Sequence, residues 1–100
     1  MKLRYAAAAR IQIASIHGYI AEHNPVAATV IVGRIRAAAE RLTMYPRMGR
    51  TGLVTGTFEW VVGGLPYIIV YELPDDDSDT ITILNVFHGA QDRTTAGRMA

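Results

Sequence analysis

The chain of 100 residues contains no cysteine, which excludes a disulfide framework and a thiolate metal site. Long hydrophobic runs are also missing. Arg10, Gln12, His17, Arg34 and Arg36 break the most apolar stretches, well short of the ~18 residues that argue for a membrane span. Net charge is nearly absent. Ten basic against nine acidic residues leave +1, whereas a protein that grips a long stretch of nucleic acid usually carries a larger excess. Cations are scarcest from Thr51 to Asp92, where neither lysine nor arginine occurs. Nine glycines supply no phosphate-cradling motif and no nucleophile elbow. His17, His23 and His88 are not at ligand spacing. The run Asp75-Asp76-Asp77-Ser78-Asp79 lacks the glycine and the closing glutamate of a calcium loop and reads as a solvated hairpin turn. No metal and no cofactor is therefore expected.

What is present is a foldable composition. Half the residues are hydrophobic and 19% are charged, unlike a disordered chain. The length suits one domain over 1–100. Met1-Lys2-Leu3-Arg4 and the alanines after it have a faint signal-peptide look, but Arg10 and Gln12 interrupt the apolar core. The segment is read as mature, cytoplasmic protein.

Two helical patterns come first. Ala9, Ile13, Ile16 and Ile20 recur at steps of four, three and four and share one narrow arc. Ile11 lies off that stripe, beside Ala14 and Gly18. Asn24-Pro25 ends this helix and starts the next, with Asn24 as cap and Pro25 in the first turn. From Pro25 to about Met44 the stripe is Ala28, Ile31, Val32, Ile35, Ala39 and Leu42. Arg36 and Glu40, four apart, can pair for a few tenths of a kcal/mol at most. So short a break makes the helices antiparallel neighbours.

The segment Tyr45 to Gly52 is loop-like, with one proline and two glycines. Period two follows: Phe58, Trp60 and Val62 alternate with Thr57, Glu59 and Val61. Gly63-Gly64-Leu65-Pro66 turns the chain into a strand from Tyr67 to Leu73. The acidic turn leads to a last strand from Thr80 to Phe87. Short connections imply an antiparallel meander, and Lys2 to Tyr5 can add an edge strand. The fold class is α+β, an N-terminal helix hairpin on a small antiparallel sheet. The other sheet face is expected to be open. The small, polar tail from about 89 to 100 is expected to be mobile without a partner.

At this point the sequence resembles the RelE/ParE superfamily of toxin–antitoxin toxins, nearer the ParE, or plasmid-stabilisation, branch. The resemblance is carried by Tyr19-Ile20-Ala21-Glu22 with Asn24-Pro25, Arg41-Leu42, and Tyr45-Pro46-Arg47-Met48-Gly49-Arg50. It continues through Gly56-Thr57-Phe58-Glu59, Leu65-Pro66-Tyr67-Ile68-Ile69-Val70-Tyr71 and Ile83-Leu84-Asn85-Val86-Phe87-His88-Gly89-Ala90-Gln91. It implies a small toxin silenced by an antitoxin encoded beside it, with a ribbon-helix-helix or similar fold, in a hetero-oligomer. ParE-like members act on DNA gyrase. RelE-like members cut messenger RNA in the ribosomal A site with side chains on the open sheet face.

The residues favour the first branch. Metal-independent RNA cleavage needs a base, an acid and cations for the phosphate. The middle strand, Tyr67-Ile68-Ile69-Val70-Tyr71, has no cation where a cutting member would show an arginine. Gly89 stands after His88, where such members often have an aromatic. A ribonuclease would have to use Glu59, His88 and Arg50. Both Glu59 and His88 admit plainer readings: Glu59 as a solvent-face partner of Arg50, His88 as a turn residue that docks the tail. Candidate target or antitoxin contacts are Arg47 and Arg50 in the glycine-flanked loop, with Glu59, Tyr67, His88 and Gln91. Ile11, Val26 and Val30 are off-stripe apolar residues that an amphipathic partner could cover. Trp60, Tyr67 and Tyr71 are expected in the core or in cross-strand pairs. The remaining alternative is a partner-binding module without toxicity.

Overall fold

The computed structural model describes residues 1–74 and 79–89. Its elements are β1 (Lys2–Tyr5), α1 (Ala7–Ala21), α2 (Pro25–Met44), β2 (Arg50–Thr51), β3 (Thr57–Val61), β4 (Tyr67–Glu72) and β5 (Thr80–His88). The helix break is set by local chemistry. The Asn24 side chain accepts from the Ala27 N–H at 3.0 Å, and Pro25 opens α2, where its missing N–H costs nothing.

The helical stripes meet one face of the sheet. Ala9 and Ile13 of α1, with Ile35, Ala39 and Leu42 of α2, are buried against Tyr67, Ile69, Tyr71, Ile81, Ile83 and Val86. Each fully buried branched aliphatic there contributes roughly 1.5–3 kcal/mol. Arg34 ties the hairpin to the β3–β4 turn by donating to the Gly63 carbonyl. None of the described helices is long and apolar enough to cross a membrane.

The sheet runs β1-β5-β4-β3-β2. Its last three strands form the expected meander, but two features differ from the sequence reading. The sheet is mixed, because β1 pairs parallel with β5, from Lys2 opposite Thr80 to Tyr5 opposite Ile83. A short strand, β2, also forms inside the presumed loop, with Arg50 opposite Glu59. The pairing of β4 and β5 slips by one residue. Tyr71 faces Ile83 but Val70 faces Asn85, so Leu84 is the extra residue of a bulge. Side chains alternate along a strand, and the extra residue resets the alternation. Ile81 and Ile83 before the bulge and Val86 after it therefore all reach the helix-side core.

The face away from the helices is not the open surface expected. Ile68, Val70 and Phe87 form a second buried cluster there, 5–6% exposed, with Leu84 packed against it. The central strand β4 is thus buried on both faces from Tyr67 to Tyr71. Most of the acidic turn (75–78) and the tail from 90 onward, including Gln91, lie outside the described residues.

Candidate functional site

The proline–glycine loop after α2 is held by one phenol. Tyr71, fully buried on β4, donates to the Pro46 carbonyl at 2.8 Å and accepts from the Gly49 N–H at 3.0 Å. Its ring stacks on Phe58 at 5.6 Å. Burial raises the Tyr71 pKa above its ordinary 10.0, partly opposed by the Gly49 hydrogen bond, because that bond favours the ionised form. Gly49 is required by close approach. A Cβ there would stand 2.5 Å from the Tyr71 hydroxyl and 2.7 Å from the Glu59 carbonyl.

The latched loop delivers Arg50 to its place opposite Glu59. The guanidinium Nη2 lies 3.2 Å from Glu59 Oε1; Arg50 is 56% exposed and Glu59 only 4%. The sequence reading of Glu59 as a partner of Arg50 describes this pair, but its solvent-face placement does not: the carboxylate is buried. A buried charge must be paired and hydrogen-bonded, which makes Arg50 partly a structural residue. Arg47, three residues earlier in the loop, is exposed. With Met44, Tyr45, Pro46 and Met48 it lines a shallow, mostly apolar pocket of about 530 Å³. Met44 and Tyr45 are 70% and 56% exposed.

A second concavity, of about 520 Å³, lies between α1 and the end of β5, lined in part by Ser15, Tyr19, Tyr67 and His88. The rings of Tyr67 and His88 meet edge-on at 5.6 Å. Gln12 organises its floor. Beyond Tyr5, β1 no longer covers the edge of β5, and the Gln12 amide takes its place. Gln12 Oε1 accepts the Val86 N–H at 2.7 Å, and Nε2 donates to Asn85 Oδ1 at 3.1 Å. Asn85 is 2% exposed, and its Nδ2 has no partner among the described residues. On the hairpin's outer surface Ile11, Val26 and Val30 are 69%, 74% and 54% exposed.

The structure therefore brings Arg50 to Glu59 and Tyr67 to His88, but not Glu59 to His88. Glu59 sits opposite Val70, and His88 sits opposite Tyr67. Cross-strand partners share a face, and Val70 and Tyr67, three apart on β4, point to opposite faces. The acid–base pair that a ribonuclease would need is split by the sheet. Strands β3, β4 and β5 also carry no lysine or arginine.

Comparison with known proteins decides the family. Residues 3–93 match the model of the ParE toxin of type II toxin–antitoxin systems, parDE. The chain belongs to the ParE toxin family. Within the wider RelE/ParE superfamily, this ParE-family toxin is 36% identical over 90 residues to putative toxin Y4kP of Sinorhizobium fredii, covering 90% of each chain. Its fold matches the chromosomal ParDE toxin–antitoxin system from P. aeruginosa, with a TM-score of 0.77 and 19% identity over 88% of this chain and 95% of that one. The RelBE2 toxin–antitoxin complex from Mycobacterium tuberculosis matches with a TM-score of 0.65 and 24% identity over 87% and 95% of the two chains.

Three residues have roles here that their local sequence pattern does not show. Gln12 counted only as a break in an apolar run, although it lies four residues before Ile16 on the edge of the buried arc. A polar side chain there signals a buried hydrogen bond. Asn85 carries the same signal amid strand aliphatics. Tyr71 lies in the core, as its apolar strand implies, but its hydroxyl's hold on the loop leaves no trace in local pattern.

Proposed function

We propose that this chain inhibits DNA gyrase by binding, in the cytoplasm, and is neutralised by an antitoxin encoded beside it. The observation that carries this reading is the division of Glu59 and His88 between opposite sheet faces, on strands without a cation. That arrangement suits a binding protein better than a phosphate-cleaving one. Arg47, with the exposed Met44 and Tyr45 beside it, offers a cationic and apolar contact for a protein target, and Arg50 borders it. Tyr67 and His88 line a second contact beside α1, and Gln91 follows them in sequence. The antitoxin is assigned to the apolar outer surface of the helix hairpin at Ile11, Val26 and Val30. Its presence is supported by the solved relatives described as toxin–antitoxin assemblies.

A supercoiling assay with purified toxin and gyrase tests the target. Loss of supercoiling as toxin is added is expected, and full gyrase activity at excess toxin would overturn the reading. Codon-phased cuts on translated messages, seen by primer extension after induction, would replace it with an endoribonuclease. Harmless expression without any antitoxin would replace it with a non-toxic binding module.

A further inference from the structure

A cleft of about 290 Å³ opens between the two helices, lined by Arg10, Ile13, Ala14, His17, Val32 and Arg36. The lining follows helical spacing: Arg10, Ala14 and His17 succeed one another at steps of four and three on α1, and Val32 and Arg36 are one turn apart on α2. Two guanidinium groups and an imidazole thus border one concavity. Among the described residues none of the three makes an ion pair. Arg36 does not pair with Glu40 as the sequence spacing allowed. It lies instead over the Tyr5 ring, 5.6 Å from its centre, a contact that holds the guanidinium in place. Cations gathered over apolar walls focus a positive potential, and among the described residues no carboxylate answers it by direct contact.

The surroundings indicate the kind of anion. A nucleic-acid strand is gripped by a row of cations along its backbone, with aromatic platforms for its bases. This cleft has an aliphatic floor of Ile13, Ala14 and Val32, and the same hairpin exposes Ile11, Val26 and Val30. On α1, Ile11 lies three residues from Ala14. On α2, Val30, Gly33 and Arg36 follow at steps of three, leading from the exposed valines to the cleft. A Cβ added at Gly18 or Gly33 would meet nothing within 4 Å, so a neighbouring backbone can come close. We propose that the cleft receives aspartate or glutamate side chains of the antitoxin, from a segment whose apolar residues cover Ile11, Val26 and Val30; this rests on the antitoxin reading above.

The test measures affinity for the product of the adjacent reading frame at several salt concentrations, using full-length toxin. The variant R10E/R36E is compared with R4E/R41E, which makes the same charge change at exposed sites outside the cleft. Circular dichroism confirms folding, and R10Q/R36Q replaces the reversal variant if that one does not fold. Loss of about thirtyfold or more in affinity, with a flatter salt dependence, is expected for the cleft variant and not for the control. Unchanged affinity, or equal loss in both, would overturn the cleft assignment while leaving the antitoxin in place. A wild-type toxin that does not bind the product at all would overturn the antitoxin reading itself. A labelled single-stranded RNA forms a parallel arm. If the cleft variant loses RNA binding but keeps the antitoxin, the cleft is a phosphate seat and the proposal is wrong.

Discussion

Tyr71 shows how one side chain can govern a loop it does not belong to. Its hydroxyl satisfies a carbonyl and an N–H of the segment between α2 and β2, so Tyr71→Phe strips both partners at once. The variant is expected to lose about 1–3 kcal/mol of stability, read from urea unfolding. The same phenol gives a pH signature. Its pKa is raised in the fold, so the unfolded chain ionises first and binds fewer protons as pH passes about 10. Stability is therefore complete below that value and falls as pH climbs toward the folded pKa. Tyr5, also raised by burial, with Arg36 lowering and Glu40 raising it, adds to the fall. In Tyr71→Phe the alkaline loss is expected to be shallower than in the wild type. An equally steep loss between about pH 9 and about pH 11 would show that Tyr71 has no part in it. The sequence exposed the ring as core material through its place in an apolar strand, but not the two bonds, because they join residues 22 and 25 positions apart.

Among the elements, α1 and β5 depend on each other through Gln12. Its amide replaces the strand that β1 ceases to provide, capping the Val86 N–H and holding Asn85. Gln12→Ala leaves the Val86 N–H and the Asn85 side-chain Oδ1 without this partner. We expect a cost of about 2–4 kcal/mol and faster amide exchange at Val86 than elsewhere in β5. An unchanged unfolding midpoint would mean that water serves both groups equally well. The helices themselves were legible, because period, cap and proline at Asn24-Pro25 all agree. The bulge at Leu84 was not: Ile83, Leu84, Val86 and Phe87 are all apolar, so the pattern holds no mark of where the register slips. Strand β2 was hidden for a related reason. Two residues carry no period, and only the latch on the preceding loop brings them to β3.

For the whole molecule, the apolar pattern defined the layer of helices on a sheet but misjudged the sheet's surroundings. A strand such as Tyr67 to Tyr71, apolar at every position, is the pattern of burial on both faces, and its Ile68 and Val70 are buried with Phe87 on the face away from the helices. The parallel addition of β1 to β5 was likewise outside local pattern, because Lys2 and Thr80 pair across nearly the full chain. Of the candidate site, the loop arginines and the exposed apolar residues were legible as residue types. Their grouping was not: the split between Glu59 and His88 depends on strand register.

That parallel pairing sets an order of events. Strand β1 is made well before β5, the strand it must pair with, and long-range pairing of this kind is slow to form. Pulse-labelled hydrogen exchange during refolding is expected to protect the β3–β4 hairpin before the Ala6 N–H, which donates to the Ile83 carbonyl; simultaneous protection would refute the sequence of steps. In the interval the outer edge of β5 has no strand beside it, and an extended segment of another chain has its best opportunity to occupy the berth of β1. The moment of greatest vulnerability to capture in this fold is thus its own completion.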